Sequence, residues 1–233
     1  MERNMENLQN NNYRYERKFF ISNISRIFVE NVIHQHPAFF SEIYHERIVN
    51  SIYFDTYDFN NFTDNIIGNT NRTKYRIRWY GELFKEVQKP TLEIKIKKGI
   101  VGTKKLMPLK SFNIDRGFKT NELMNILKQS ELDDVSLYKM HNQIPVILNR
   151  YRRKYFQTSD KKFRITVDDN QEFYKIGSLA NYFFQKQSDF NNVILELKYE
   201  KQFESEAARI TNSIPFRTTK SSKYARGVEF FYT

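Results

Sequence analysis

In six short runs the chain alternates between charged and apolar residues, and lysine and arginine dominate the charged positions. The runs are Arg14-Tyr15-Glu16-Arg17-Lys18-Phe19, Lys74-Tyr75-Arg76-Ile77-Arg78-Trp79, Leu92-Glu93-Ile94-Lys95-Ile96-Lys97, Leu148 to Arg153, Phe163-Arg164-Ile165-Thr166-Val167-Asp168 and Leu195-Glu196-Leu197-Lys198-Tyr199-Glu200. Period-two alternation marks a β-strand with one apolar and one ionic face. A single strand of this kind is an ordinary amphipathic edge. Six together predict a sheet whose polar face is built for a strongly anionic ligand.

The same reading sets out the rest of the chain. Residues 13–21 form the first strand, and Ser22 or Ser25 caps a helix to about residue 35, with Ile27, Phe28, Val32 and Ile33 as its buried stripe. Strands follow over 47–55, 73–80, 91–98 and 103–107, with a helical turn or two within 58–68. Residues 112–141 read as mostly helical. Two more strands cover 145–156 and 162–168, and Asp169-Asn170 reads as a tight turn into a return strand at 171–174. After an irregular excursion over 175–190 comes a last strand, 193–199, and then helices over 204–213 and 222–231. The expectation is an α+β fold: an eight-stranded antiparallel β-barrel with helices packed outside, able to hold a small ligand within. Residues 1–12 read as an unstructured lead-in and 13–233 as a single domain.

Composition sharpens the ligand. A formal charge of +11 over 233 residues favours a polyanionic partner. The absence of cysteine excludes disulfides, thiolate zinc sites and cysteine nucleophiles. No secretory pattern opens the chain, and its longest apolar stretches, such as Ile144 to Leu148, are strand-sized; a soluble cytoplasmic protein is expected. No glycine-rich phosphate loop occurs, and His34, His36, His45 and His141 lack a zinc spacing. Asp168 shares strand parity with Arg164 and is expected to support it. The many aromatics resemble the stacking platforms of single-strand binders. They alternate with the charges instead of sharing their face, so nucleic acid is not the expected partner.

If the ionic faces point inward, the helices cover the apolar outer faces. An inward cluster of like charges is self-repelling and calls for a ligand with several negative charges. Arginine offers bidentate contacts to phosphate oxygens and lysine a point charge. The interspersed Glu16, Glu93 and Glu196 suit Mg²⁺ or Mn²⁺ bridging to phosphate. Phosphoryl transfer rests on positioning and charge neutralisation, so no protein nucleophile is required.

In order along the chain stand Arg14-Tyr15-Glu16-Arg17-Lys18, Ser51-Ile52-Tyr53-Phe54-Asp55-Thr56, Lys74 to Tyr80, Leu92-Glu93-Ile94-Lys95, Tyr151-Arg152-Arg153, Phe163 to Asp168, Leu195-Glu196-Leu197-Lys198 and Ser222-Lys223-Tyr224-Ala225-Arg226-Gly227. This ordered set resembles the VTC-type polyphosphate polymerase domain, a branch of the triphosphate tunnel metalloenzymes. The resemblance implies a tunnel that binds ATP, triphosphate, pyrophosphate or polyphosphate with Mn²⁺ or Mg²⁺, and that passes the terminal phosphate of ATP to a growing polyphosphate chain. Carried over position by position, it makes Lys18, Arg76, Arg78, Lys95, Arg153, Arg164 and Lys198 the catalytic phosphate contacts. Tyr151, Lys97, Lys220, Ser222 and Lys223 become substrate-binding residues. Glu196 becomes the foremost metal ligand, with Glu16 and Glu93 beside it. Arg153 is preferred to Arg152 because it shares parity with Tyr151.

The related hydrolase branch begins with Glu-x-Glu-x-Lys, and here Arg14 stands at the first glutamate, which weighs against hydrolysis. The eukaryotic polymerases also carry a phosphate-sensing domain and a membrane segment; neither is seen here, so coupled export is not expected. The alternatives are a triphosphatase or tripolyphosphatase of the same fold, and a non-enzymatic polyphosphate- or nucleic-acid-binding module. A narrow tunnel binds triphosphate and excludes duplex DNA, whereas an open basic face does the reverse with a steep salt dependence.

Overall fold

The computed structural model describes residues 14–99, 101–115 and 117–233. The expected lead-in over 1–12 and the first residue of the expected first strand lie outside the described residues. In chain order come β1 (Arg14–Ser22), α1 (Arg26–His34), β2 (Phe40–Asp55), α2 (Asn60–Ile66), β3 (Arg72–Tyr80), β4 (Glu86–Val87), β5 (Thr91–Lys98) and β6 (Val101–Pro108). Next are β7 (Phe112–Asn113), β8 (Phe118–Lys119), α3 (Thr120–Gln129), α4 (Asp134–His141), β9 (Ile144–Thr158) and β10 (Arg164–Lys175). The chain closes with β11 (Ala180–Asn181), β12 (Lys186–Asp189), β13 (Asn192–Glu200), α5 (Glu204–Asn212) and α6 (Lys223–Tyr232).

The long strands form one antiparallel sheet in the order β1-β13-β10-β9-β2-β3-β5-β6, with β12 added to β10. The sheet curls so that the apolar half of each alternating run faces outward. On one side Ile52, Phe54, Ile77, Trp79, Leu92 and Ile94 pack against Leu123 and Leu127 of α3 and Met140 of α4. On the other, Phe19, Phe156, Ile165, Val167 and Leu195 pack against Val29 and Ile33 of α1 and Ala207 and Ile210 of α5. Each such burial stabilises by roughly 1.5–3 kcal/mol, which is what makes the ionic faces turn inward together.

Helix α6 instead seats on the concave face at one end. Tyr224 and Val228 meet Tyr53, Ile147 and Phe173 there. Gly227 permits the approach: a Cβ at that position would lie 2.7 Å from Ile147 Cγ2 and 3.1 Å from Phe173 Cδ1. Asp55 ties this corner together. It accepts from the backbone N–H groups of Asn61 (2.8 Å) and Phe62 (2.9 Å) of α2 and from the Tyr224 hydroxyl of α6.

Several elements differ from expectation. Helix α1 is capped by Ser25 and buries Val29 and Ile33, while Ile27 and Phe28 face solvent at 69% and 52% exposure. The i,i+4 pair fixed by the cap outweighs the larger apolar pair beside it. Phe112–Asn113 and Phe118–Lys119 are not helical but form β7 and β8, which pair with β4 and β11. The expected turn at Asp169-Asn170 is a β-bulge: β10 runs on through it, Asn170 takes φ 47°, and the register to β9 shifts between Asp169 and Glu172. Asparagine tolerates the left-handed conformation that both a turn and a bulge demand, so its presence does not distinguish them.

Candidate functional site

Register places the charged halves of the runs on the concave face. Across the sheet, Lys18 stands opposite Glu196, Arg164 opposite Lys198 and Asp168 opposite Arg153. On the other half of the sheet Tyr53 stands opposite Arg76, Arg76 opposite Glu93 and Lys95 opposite Lys104. Arg150 and Arg152 point to the convex side, where Arg152 pairs with Asp169 at 2.7 Å and Arg150 lies 3.9 Å from Glu172. Arg153 shares the concave face with Tyr151, two residues before it on β9.

The carboxylates each gather several cations. Glu93 accepts from Arg76 Nε at 2.5 Å and from Lys104 Nζ at 2.8 Å, and Arg78 Nη1 lies 3.5 Å away. Burial pushes its carboxyl up, but Arg76, Arg78 and Lys104 outweigh this and hold it at about 2. Asp168 accepts two parallel bonds from Arg153, at 2.5 and 2.6 Å, and a third from Lys223 at 2.6 Å. Burial opposes its ionisation too, yet Arg153 and Lys223 bring it to about 2. Asp168 therefore serves Arg153 and Lys223 and not Arg164, as its parity alone had suggested. Glu196 receives Lys18 at 3.0 Å on one oxygen and Lys198 at 2.9 Å on the other. Against the cost of burial, those lysines hold Glu196 well below the usual carboxylate range.

Tyrosines complete the framework. Tyr53 accepts from Arg76 at 3.3 Å and Tyr151 from Arg78 at 3.4 Å. The Lys223 ammonium lies 4.5 Å from the Tyr151 ring centre, with the Arg153 guanidinium 5.2 Å from it on β9. Buried Tyr53 has its pKa lowered: burial opposes ionisation, but Arg76, Arg78 and Lys223 prevail.

The start of α6 delivers the remaining expected residues. Ser222 caps it, accepting from Ala225 N at 3.3 Å. The same hydroxyl accepts from Lys74 Nζ at 3.1 Å, and Lys74 also donates to Asn65 Oδ1 at 2.6 Å. Lys74 is pressed by burial and by Lys18, Arg72, Lys95 and Arg76, which bring it down to about 7. Lys97 lies near Arg72, Lys95 and Lys220, and burial with that company lowers its pKa.

Lys74 and Lys104 are site residues that the sequence reading passed over. Lys74 shares parity with Arg76 in its own run. Lys104 lies on β6, the short basic strand, opposite Lys95. Burial brings Lys104 down to about 8 despite Glu93 beside it.

Two carboxylates meet at one corner of the concave face. Among the described residues no three His, Asp or Glu side chains are arranged to hold a metal. Mg²⁺ and its kin are commonly held by one or two carboxylates with substrate phosphates completing the shell. Glu196 fits that requirement, and Glu16 lies beside it, both within 4 Å of the Lys18 ammonium. Glu93 stands apart from this corner, enclosed by three cations of its own.

The VTC domain family matches residues 13–232 of the chain. A comparison with curated proteins finds no match. Among solved structures the chain is similar to a putative adenylate cyclase from Vibrio parahaemolyticus, at 11% identity and a TM-score of 0.50, over 95% of this chain and 98% of that one. It is also similar to a putative adenylyl cyclase from Hippeastrum described as having a dominant triphosphatase activity, at 12% identity and a TM-score of 0.47, over 92% and 96% of the two chains. The likeness to the Vibrio protein is one of fold.

Proposed function

The chain belongs to the VTC domain family, and from that footing we propose that it is a metal-dependent polyphosphate polymerase. The terminal phosphate of ATP passes to the end of a polyphosphate chain held in the same basic concavity. The observation that carries this reading is the set of carboxylate-held cations on the concave face, Arg153 buried and Lys18, Arg76, Arg78, Lys198 and Lys223 half-buried.

In the reaction a terminal oxygen of the polyphosphate chain bonds to the γ-phosphorus, the bond from γ-phosphorus to the β-bridging oxygen breaks, and ADP leaves. Such a transfer needs its reactants in line and its charge neutralised, more than it needs a protein nucleophile. Arg76, Arg78 and Arg153 are fixed by Glu93 and Asp168, so their forks need little reorganisation to receive phosphate oxygens. Lys18 and Lys198 flank Glu196 and face the transferring group. Lys95, Lys97 and Lys220 guide the polyphosphate acceptor. Glu196 with Glu16 would hold Mn²⁺ or Mg²⁺, which supplies charge neutralisation between adjacent phosphates.

Replacement of Arg76 by alanine and of Glu196 by glutamine tests the assignment. Each should remove turnover of ATP while circular dichroism shows the fold retained. Full activity in both variants would overturn it.

A further inference from the structure

We infer that the concave face ends in a nucleobase-stacking ledge made of Tyr44, Arg47, Tyr80 and Tyr155, with Arg164 beside it, which distinguishes a nucleoside triphosphate from inorganic triphosphate. The inference rests on the phosphate-transfer reading of the same concavity.

Register puts these residues together. Arg47 stands opposite Arg153 and Tyr44 opposite Tyr155 across β2 and β9. Tyr80 follows Arg76 and Arg78 at the same parity on β3. All lie on the concave face, toward the end remote from α6. Tyr155 is two residues beyond Arg153, or roughly 6.6 Å along the strand, which is about the reach of a ribose from its phosphate.

The guanidinium of Arg47 sits 4.7, 5.6 and 5.7 Å from the ring centres of Tyr44, Tyr80 and Tyr155. That of Arg164 lies 5.7 and 5.8 Å from Tyr44 and Tyr155. Tyr44 meets Tyr155 edge to face, 5.6 Å between centres. Tyr155 is buried, whereas Tyr44 and Tyr80 remain 44% and 51% exposed.

Two features separate this cluster from the phosphate site. Arg76, Arg78 and Arg153 each hold a carboxylate. Among the described residues, Arg47 and Arg164 have no carboxylate partner, and Arg164 Nε is buried with no hydrogen-bond acceptor. Half-exposed rings beside uncommitted guanidinium planes present flat, π-rich surface to solvent. Such surfaces bind bases by stacking and cation–π attraction, with little dependence on base identity. The unpaired arginines are placed to meet the α-phosphate of the same ligand.

The test measures dissociation constants of a non-hydrolysable ATP analogue and of inorganic triphosphate by calorimetry, for wild type, Tyr44→Ala, Tyr80→Ala and Tyr44→Phe. The alanine variants should weaken the nucleotide on the order of tenfold and triphosphate less than twofold. Tyr44→Phe keeps a ring and should stay within about twofold of wild type for both ligands. Retained triphosphate binding reports that each variant is folded. Equal weakening of both ligands, or no weakening of either, overturns the ledge while leaving the phosphate site standing. A wild-type protein that binds neither ligand removes the phosphate-transfer reading and the ledge with it.

Discussion

Lys95 of β5 lies 3.2 Å from Glu16 of β1, although these strands stand near opposite ends of the sheet. The curl is thus bridged by an ion pair where no ladder joins its two edges among the described residues. Glu16 also lies 3.8 Å from Lys18, so the bridge reaches the corner that holds Glu196.

Lys95 is half exposed, and exposed pairs contribute about 0–1 kcal/mol. Lys95→Ala should therefore leave the unfolding midpoint in urea nearly unchanged. It should still weaken triphosphate binding several-fold, because the proposed phosphate contact is lost. Calorimetric titration beside a urea melt reads both quantities.

Glu93 and Asp168 behave differently, because they are buried among the cations they hold. Glu93→Gln or Asp168→Asn leaves buried positive charge uncompensated, which costs about 3–5 kcal/mol. Triphosphate should restore much of the loss in a thermal melt, since it binds only the folded state. Both carboxyls have folded pKa values of about 2, below reference values of 4.5 and 3.8. The stability they contribute is complete above about pH 4.5 and is lost as pH falls toward 2. Acid unfolding should fall in that window and move upward in either variant.

Lys74 also has a lowered pKa, but for a cation this marks a charged form that folding disfavours. Its pKa is lowered from 10.5 to about 7 by burial and neighbouring cations. Between those values the unfolded chain binds more protons than the folded one, so this group makes stability rise with pH from 7 to 10.5. An anion filling the concavity raises the pKa again. Triphosphate binding near pH 8 should accordingly take up protons, measured by calorimetry in buffers of different ionisation enthalpy. Lys74→Gln should reduce that uptake, and an unchanged value would contradict the placement of Lys74 among Lys18, Arg72, Lys95 and Arg76.

Gly227→Ala tests the seat of α6. Alanine favours a helix by about 1 kcal/mol over glycine, but the added methyl meets Ile147 at 2.7 Å. Overpacking costs about 1–3 kcal/mol, so the net effect should be destabilising. Displacement of Ser222 and Lys223 should also weaken triphosphate binding. Gly102→Ala, whose Cβ has its nearest neighbour at 3.8 Å, serves as the control for the steric effect.

Much of the fold, and the face on which the candidate residues lie, was legible because burying one face of an alternating strand forces every second residue to the other. Lys18, Arg76, Arg78, Lys95, Arg153 and Glu196 follow from parity alone once the sheet curls. Parity fails where the backbone breaks period. The bulge after Asp169 hid the continuity of β10, and irregular register between Tyr44 and Arg47 hid the face of Tyr44 on β2. The partner of Asp168 was not legible either, because parity names a face and not which of several cations on it is nearest. Nor could alternation reveal that α6 covers the concave face; that depends on Gly227 admitting it.

The identity of the phosphate acceptor is tested most directly by product analysis after incubating the purified protein with ATP and Mn²⁺. Acid-insoluble polyphosphate should accumulate with ADP, and Arg76→Ala should abolish both. Orthophosphate and ADP without polyphosphate would contradict the polymerase reading and leave a triphosphatase in its place.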